Sequence, residues 1–227
     1  MRYPNYRPVL LQKIESINER IHSAALRSGR KREDIRLIAV TKKFPAEILR
    51  EAYAAGLRDF GENYVQEFED KYPELTGMPE ARYHLIGHLQ SNKSKKAAEL
   101  FQTIQTVDSA KLARRLDAEG QPLTVLIEVK LSEESAKAGA APDQLPGLID
   151  SIRACRCLRL TGLMTMPPWS EDPEQTRPYF ARLRELAQLH QLPELSMGMS
   201  HDLEAAIEEG ATLVRVGRGL FGPRKKT

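Results

Sequence analysis

Cysteine is scarce: the 227 residues hold two, Cys155 and Cys157, and no third is present to build a thiolate metal set. We read them as ordinary thiols of a reducing compartment. His84 and His88 stand four apart, but a glycine lies between them and no helical pattern carries them, so no metal is expected. No apolar run reaches membrane-spanning length, and the opening Met1-Arg2-Tyr3-Pro4-Asn5-Tyr6 lacks the apolar core of a signal peptide. A cytoplasmic protein with no membrane partner is expected. Charge of one sign is also lacking: 34 basic residues stand against 31 acidic ones, a formal net charge of +3. No long basic block is interleaved with aromatics, so no nucleic-acid partner is expected, and the tail Arg224-Lys225-Lys226 reads as a solvated end. No Pro/Gly/Ser linker or composition break divides the chain, so residues 1–227 read as one domain, large enough to bury a core without staples.

What is present is alternation. Leu10, Ile14, Ile17, Ile21, Ala24 and Ala25 recur at helical spacing before a stop at Ser28-Gly29. This extra N-terminal helix should pack outside the fold or cover one end. Strand-like runs follow at 37–42, near 59–60, and at 83–87, 103–107, 123–129, 158–164, 195–197 and 212–216. Between them lie helical patterns from Pro45 to Gly56 and at about 64–71, 91–100, 110–119, 143–154, 176–190 and 201–209. Asp108 or Ser109 is placed to cap the helix at 110–119. About eight strand–helix units argue for a parallel sheet, and in one undivided chain for a closed (β/α)₈ TIM barrel. A doubly wound open sheet is the alternative, but no glycine fingerprint follows the first strand.

A barrel of this kind carries its chemistry at the C-terminal ends of its strands. Those ends hold Lys42, then Asn63, the loop after His84, Met164 and Met166, Met199-Ser200, and Gly217-Arg218-Gly219. An ammonium at the end of a buried strand either snorkels to water or serves a site. The loops after the seventh and eighth strands commonly bind phosphate, and Ser200 could cap the helix at 201–209 beside the glycine loop. Arg215 adds charge within the last strand. Amine and anion cradle together suggest a ligand with a carbonyl and a phosphate.

Several ordered motifs then resemble one family. They are Val40-Thr41-Lys42, Phe60-Gly61-Glu62-Asn63-Tyr64-Val65-Gln66-Glu67, His84-Leu85-Ile86-Gly87 with Leu89-Gln90-Ser91-Asn92-Lys93, Gly162-Leu163-Met164, Ser196-Met197-Gly198-Met199-Ser200 with Asp202, and Arg215-Val216-Gly217 with Phe221-Gly222. The loop Ser135-Ala136-Lys137-Ala138-Gly139 fits as well. The chain resembles the pyridoxal 5′-phosphate (PLP) homeostasis protein family, whose fold is similar to the barrel domain of bacterial alanine racemase. The resemblance implies that Lys42 forms a Schiff base with PLP. It implies further that Ser200 and the backbone around Gly217 and Arg218 hold the phosphate, that Arg215 faces the pyridine nitrogen, and that Asn63 and Met164 lie near the ring. Arg218 stands where many members have threonine.

The chemistry favours binding over turnover. Lysine forms an imine only as the neutral amine, so Lys42 needs a lowered pKa. PLP is an electron sink when its pyridine nitrogen is protonated against an acidic partner, and an arginine opposes that. The alanine racemase resemblance also implies a further β-rich domain and a tyrosine base from a partner subunit. Here about ten residues follow the last strand, and Tyr64, Tyr83 and Tyr179 lie in no matching motif. The expectation is a protein that stores, buffers or delivers PLP without efficient turnover, with PLP-dependent apoenzymes as acceptors, as a monomer or weak dimer. A weak amino-acid racemase, and less so a phosphate-sugar barrel enzyme using Lys42, are the alternatives.

Overall fold

Short runs of branched and aliphatic residues buried on both sides become parallel strands, because neither face can be left to water. In the computed structural model, which describes residues 6–132 and 138–223, eight strands close a ring, the second and third carrying polar residues among the apolar ones. They are β1 (Arg36–Val40), β2 (Asp59–Glu62), β3 (Arg82–Leu85), β4 (Thr103–Val107), β5 (Leu123–Glu128), β6 (Leu158–Met164), β7 (Glu194–Met199) and β8 (Leu213–Val216). Each pairs in parallel with its neighbours in sequence, and β1 closes onto β8 through Leu37 opposite Val214 and Ile38 opposite Arg215. The expected (β/α)₈ barrel is the observed one.

Helices α1 (Tyr6–Arg27), α2 (Ala46–Ala54), α3 (Val65–Lys71), α4 (Ser94–Leu100), α5 (Ala110–Asp117), α6 (Leu145–Arg153), α7 (Arg177–Leu189), α8 (Leu203–Glu208) and the single turn α9 (Arg218–Phe221) surround it. Period-two alternation divides the strand residues between two cores. Leu37, Ala39, Leu163 and Val214 join the large apolar layer between strands and helices, whereas Ile38, Leu126 and Met164 are buried outside it, on the alternate face. The extra helix α1 lies against α8 and α9, burying Leu10, Ile17, Ile21 and Ala24. Ser109 caps α5, its hydroxyl accepting the Leu112 N–H at 3.3 Å.

Three local expectations are corrected. Lys42 is not the last residue of β1, which ends at Val40; the chain turns at Thr41, whose carbonyl accepts the Phe44 N–H at 3.1 Å. Strand β2 runs past the expected 59–60 through Gly61 and Glu62, because they continue the ladder with His84 and Leu85. Ser200 does not cap the following helix. The Asp202 carboxylate accepts the Met199 N–H at 2.6 Å, closing a turn over these residues, so α8 starts only at Leu203 with Asp202 at its cap position. The helix α9, four residues long, was not foreseen.

Cys155 and Cys157 are both free thiols, and burial pushes the Cys155 thiol up. No described helix is long and apolar enough to cross a membrane. Met1 to Asn5, Ser135 to Lys137 and the tail Arg224 to Lys226 lie outside the described residues.

Candidate cofactor site

Lys42 sits in a turn that a second lysine fastens. Lys71 Nζ, at the end of α3, donates to the carbonyls of Thr41 at 3.3 Å and Phe44 at 3.1 Å. It also donates to Glu62 Oε1 at 2.8 Å and Glu67 Oε1 at 2.9 Å. Glu62 Oε1 accepts the Thr41 hydroxyl at 2.8 Å as well, and Glu67 accepts the Lys43 N–H. The backbone on both sides of Lys42 is therefore tied to one buried charge cluster, which holds Lys43 at a φ of 63°. Burial pushes the Glu62 carboxyl up, against the pull of Lys71 and the Thr41 hydroxyl.

Beyond this turn, at the C-terminal ends of the strands, opens a cavity of about 240 Å³. Six of the seven predicted residues line it: Lys42, Asn63, Ser200, Arg215, Gly217 and Arg218. The seventh is Met164. It is fully buried at the end of β6 and does not line the cavity; Met166, two residues further and past the strand end, does so instead. Val40, Ile86, Met199 and the exposed Trp169 add apolar wall, and His201 adds a ring at the rim. Its other role is structural, because His201 Nε2 lies 2.8 Å from the Glu171 carbonyl and ties two loops together.

Two glycines allow close approaches that shape the site. A Cβ on Gly87 would fall 2.2 Å from the Asn63 carbonyl oxygen, so only glycine lets the loop after β3 press Asn63 toward the cavity. A Cβ on Gly219 would meet Val216 Cγ1 at 3.0 Å and Ile17 Cδ1 at 3.1 Å, with Ser200 Oγ at 3.6 Å. Glycine there lets the Gly219 N–H reach the Ser200 hydroxyl at 3.2 Å, joining the loops after β7 and β8. From α1, Arg20 donates to the Ser200 carbonyl at 3.0 Å and grips Glu204 at 2.6 and 2.7 Å. The N-terminal helix thus braces the Ser200 side of the cavity.

Arg215 is buried in the barrel wall with its guanidinium facing the cavity. Nη1 donates to Ser196 Oγ at 2.6 Å and Nη2 to the Thr165 carbonyl at 2.9 Å. Burial drags its pKa to about 10, with Asp202 and Glu128 opposing the shift, so it stays a cation at neutral pH. Burial likewise pushes the Glu128 carboxyl up.

The two histidines part company: His84 is buried in the barrel, whereas the exposed His88 lies 3.7 Å from Asp108. Among the described residues no cluster of His, Cys, Asp or Glu could hold a metal. Sequence reading missed Lys71 and Arg20, which act from helices on loops far along the chain and carry no motif. It also gave Gln105 no role.

The residues fit a flat ligand bearing a carbonyl and a phosphate: an amine, apolar walls for a ring, and hydroxyl and cationic groups opposite. Residues 15–225 match the alanine racemase, N-terminal domain family. The chain is 46% identical over 221 residues to the pyridoxal phosphate homeostasis protein of Pseudomonas aeruginosa, covering 95% of this chain and 96% of that one. Among solved structures, PipY of Synechococcus elongatus with PLP bound is similar at 43% identity and a TM-score of 0.79, over 91% of this chain and 100% of that one. An alanine racemase of Clostridium difficile shares the fold at a TM-score of 0.65 with 14% identity, over 85% of this chain and 53% of that one.

Proposed function

The chain belongs to the pyridoxal phosphate homeostasis protein family, and on that premise we propose that the Lys42 cavity binds PLP, covalently through Lys42, for storage, buffering or delivery. The observation that carries this reading is the meeting of Lys42, Ser200, Gly217 and Arg215 in one small cavity walled by Met166, Met199 and Trp169. When bound, the cofactor supplies an aldehyde that takes up a primary amine with loss of water. Lys42 Nζ is that amine, and its clamped turn presents it from one direction. Ser200, the backbone near Gly217 and the guanidinium of Arg218 take the phosphate end, and Asn63 lies beside the ring.

Arg215 faces the pyridine nitrogen as a fixed cation, which accepts no proton and opposes protonation of the ring. This supports binding over carbanion chemistry. Among the described residues no tyrosine lines the cavity. Tyr83 packs between Phe60, Phe68 and Tyr72, and burial pushes its hydroxyl up to about 12. The role is then homeostasis of vitamin B6 and amino acids in the cytoplasm, with PLP-dependent apoenzymes receiving the cofactor.

The test is the visible spectrum of the purified, PLP-loaded protein before and after borohydride, with mass mapping of the reduced adduct. The adduct is expected on Lys42, and the band is expected to vanish in Lys42→Ala. An adduct on Lys43 or Lys93 overturns the assignment. Incubation with L-alanine in deuterated water checks turnover: α-hydrogen exchange at about 1 per second or faster, lost in Lys42→Ala, replaces the binding reading with a racemase one.

A further inference from the structure

Barrels of this type are usually filled by bulky branched aliphatic side chains. Here a row of polar side chains crosses the interior. Arg215 Nη1 on β8 reaches Ser196 Oγ on β7 at 2.6 Å, and Ser196 Oγ reaches Gln105 Oε1 on β4 at 2.6 Å. Gln105 Nε2 lies 3.2 Å from His84 Nδ1 on β3, and His84 Nε2 lies 3.0 Å from Asp59 Oδ1 on β2. Arg82 Nη2 ends the row on Asp59 Oδ2 at 2.7 Å. Ser196 and Gln105 are wholly buried, His84 is 1% exposed and Asp59 4%.

With the Gln105 amide oxygen on Ser196, the donor inventory fixes the direction of every bond. A guanidinium only donates, so Ser196 Oγ accepts from Arg215 and its single proton goes to Gln105 Oε1. The Gln105 amide then turns its NH₂ to His84, whose Nδ1 must accept. His84 therefore carries its proton on Nε2 and donates it to the Asp59 carboxylate. All the protons between Arg215 and Asp59 point the same way, and the imidazole is neutral in one tautomer. Burying this many polar groups is unfavourable unless each is bonded, and apolar side chains would fill the space without that demand. The row does, however, start from Arg215, a buried cation that lines the cavity.

We propose that Gln105 is a positioning residue for Arg215: through Ser196 on one side and His84–Asp59 on the other, it fixes the guanidinium in the direction it presents to the cavity. The consequence for the cofactor rests on the reading of this cavity as the PLP site. Thr165 supplies only a second, carbonyl contact, so without the row the guanidinium keeps one anchor and can swing.

Two measurements on the unloaded protein test the row itself. Nitrogen-15 NMR of the wild type is expected to show His84 protonated on Nε2 alone, and an Nδ1–H tautomer overturns the proposal. The Arg215 Nη resonances, separate in the wild type, are expected to merge in Gln105→Leu and in Ser196→Ala as the group gains rotation. Unchanged resonances in whichever variant folds also overturn it. The third measurement is binding of pyridoxine 5′-phosphate, which has an alcohol in place of the aldehyde and so needs no reaction at Lys42. Gln105→Leu is expected to weaken it about tenfold, the scale of one charge-assisted hydrogen bond. Equal binding by wild type and variant overturns the positioning role. No binding by the wild type overturns the cofactor reading instead, and the NMR results alone then decide the row.

Discussion

Lys42 and Arg215 both line the cavity, and the protein holds them by opposite means. Around Lys42 the fastening is ionic and acts on the backbone: Lys71 bonds the carbonyls of Thr41 and Phe44 while pairing with Glu62 and Glu67. At Arg215 the fastening is a row of neutral side chains that acts on the charged head group. The difference matches the chemistry proposed for each. An amine that must meet an aldehyde carbon from one direction needs a fixed root. An arginine that must stay a cation against a ring nitrogen needs its head group held, and neutral partners do that without competing for its charge.

The comparison can be broken first at the ionic clamp, where the largest effect is expected. Lys71→Met leaves Glu62 buried without its ion partner, and breaking a buried pair in this way costs about 3–5 kcal/mol. Urea unfolding should show that loss, with part of it recovered when Glu62→Gln is added. A loss below about 1 kcal/mol, as for a surface pair, would show that the clamp does little.

The anion side of the cavity sharpens the contrast at a lower scale. Pyridoxal, lacking the phosphate, should bind at least about a hundredfold more weakly than PLP, or about 2.7 kcal/mol. The proposed source is charge-assisted hydrogen bonding at Ser200 and the amides near Gly217. Titration calorimetry of both aldehydes is the check, and equal affinities would remove the phosphate cradle.

Next is Gly87→Ala, whose new methyl would lie against the Asn63 carbonyl. Overpacking of this kind costs about 1–3 kcal/mol. The variant should lose stability in denaturant and weaken PLP binding by displacing Asn63, while the Lys42 adduct still forms. Full wild-type stability would show that the loops can separate.

The smallest effect expected is one of pH. Burial pushes the Asp59 carboxyl up, but the hydrogen bonds from His84 and Arg82 outweigh it and hold the pKa below the ordinary 3.8. The folded state therefore binds this proton less tightly than the unfolded chain. The stability that follows is fully present above the unfolded value and is lost as pH falls through the lower folded one. Unfolding experiments across the acid range should show this limb in the wild type and its absence in Asp59→Asn. Glu62 and Glu128 work in the opposite sense: their carboxyls are raised, so their contribution falls as pH rises past the ordinary glutamate range.

The amino-acid sequence by itself determined the barrel and most of the cavity. Largely apolar runs such as Leu123 to Val129 read as strands buried on both faces, and their alternation with helical patterns favours a closed parallel sheet. Strand ends are set by those local patterns, which makes Lys42, Asn63, Ser200, Arg215, Gly217 and Arg218 legible in the chain, and they line one cavity. Only the tertiary structure decided what supports them. Met166 replaces Met164 at the cavity because strand β6 ends where it does, and Ser200 bonds Gly219 rather than capping α8 because Asp202 closes the turn first. Lys71, Arg20 and Gln105 act across 30, 180 and 91 residues of chain. Contacts at that separation leave no spacing or period in the sequence, since barrel closure alone brings the strands and helices carrying them together.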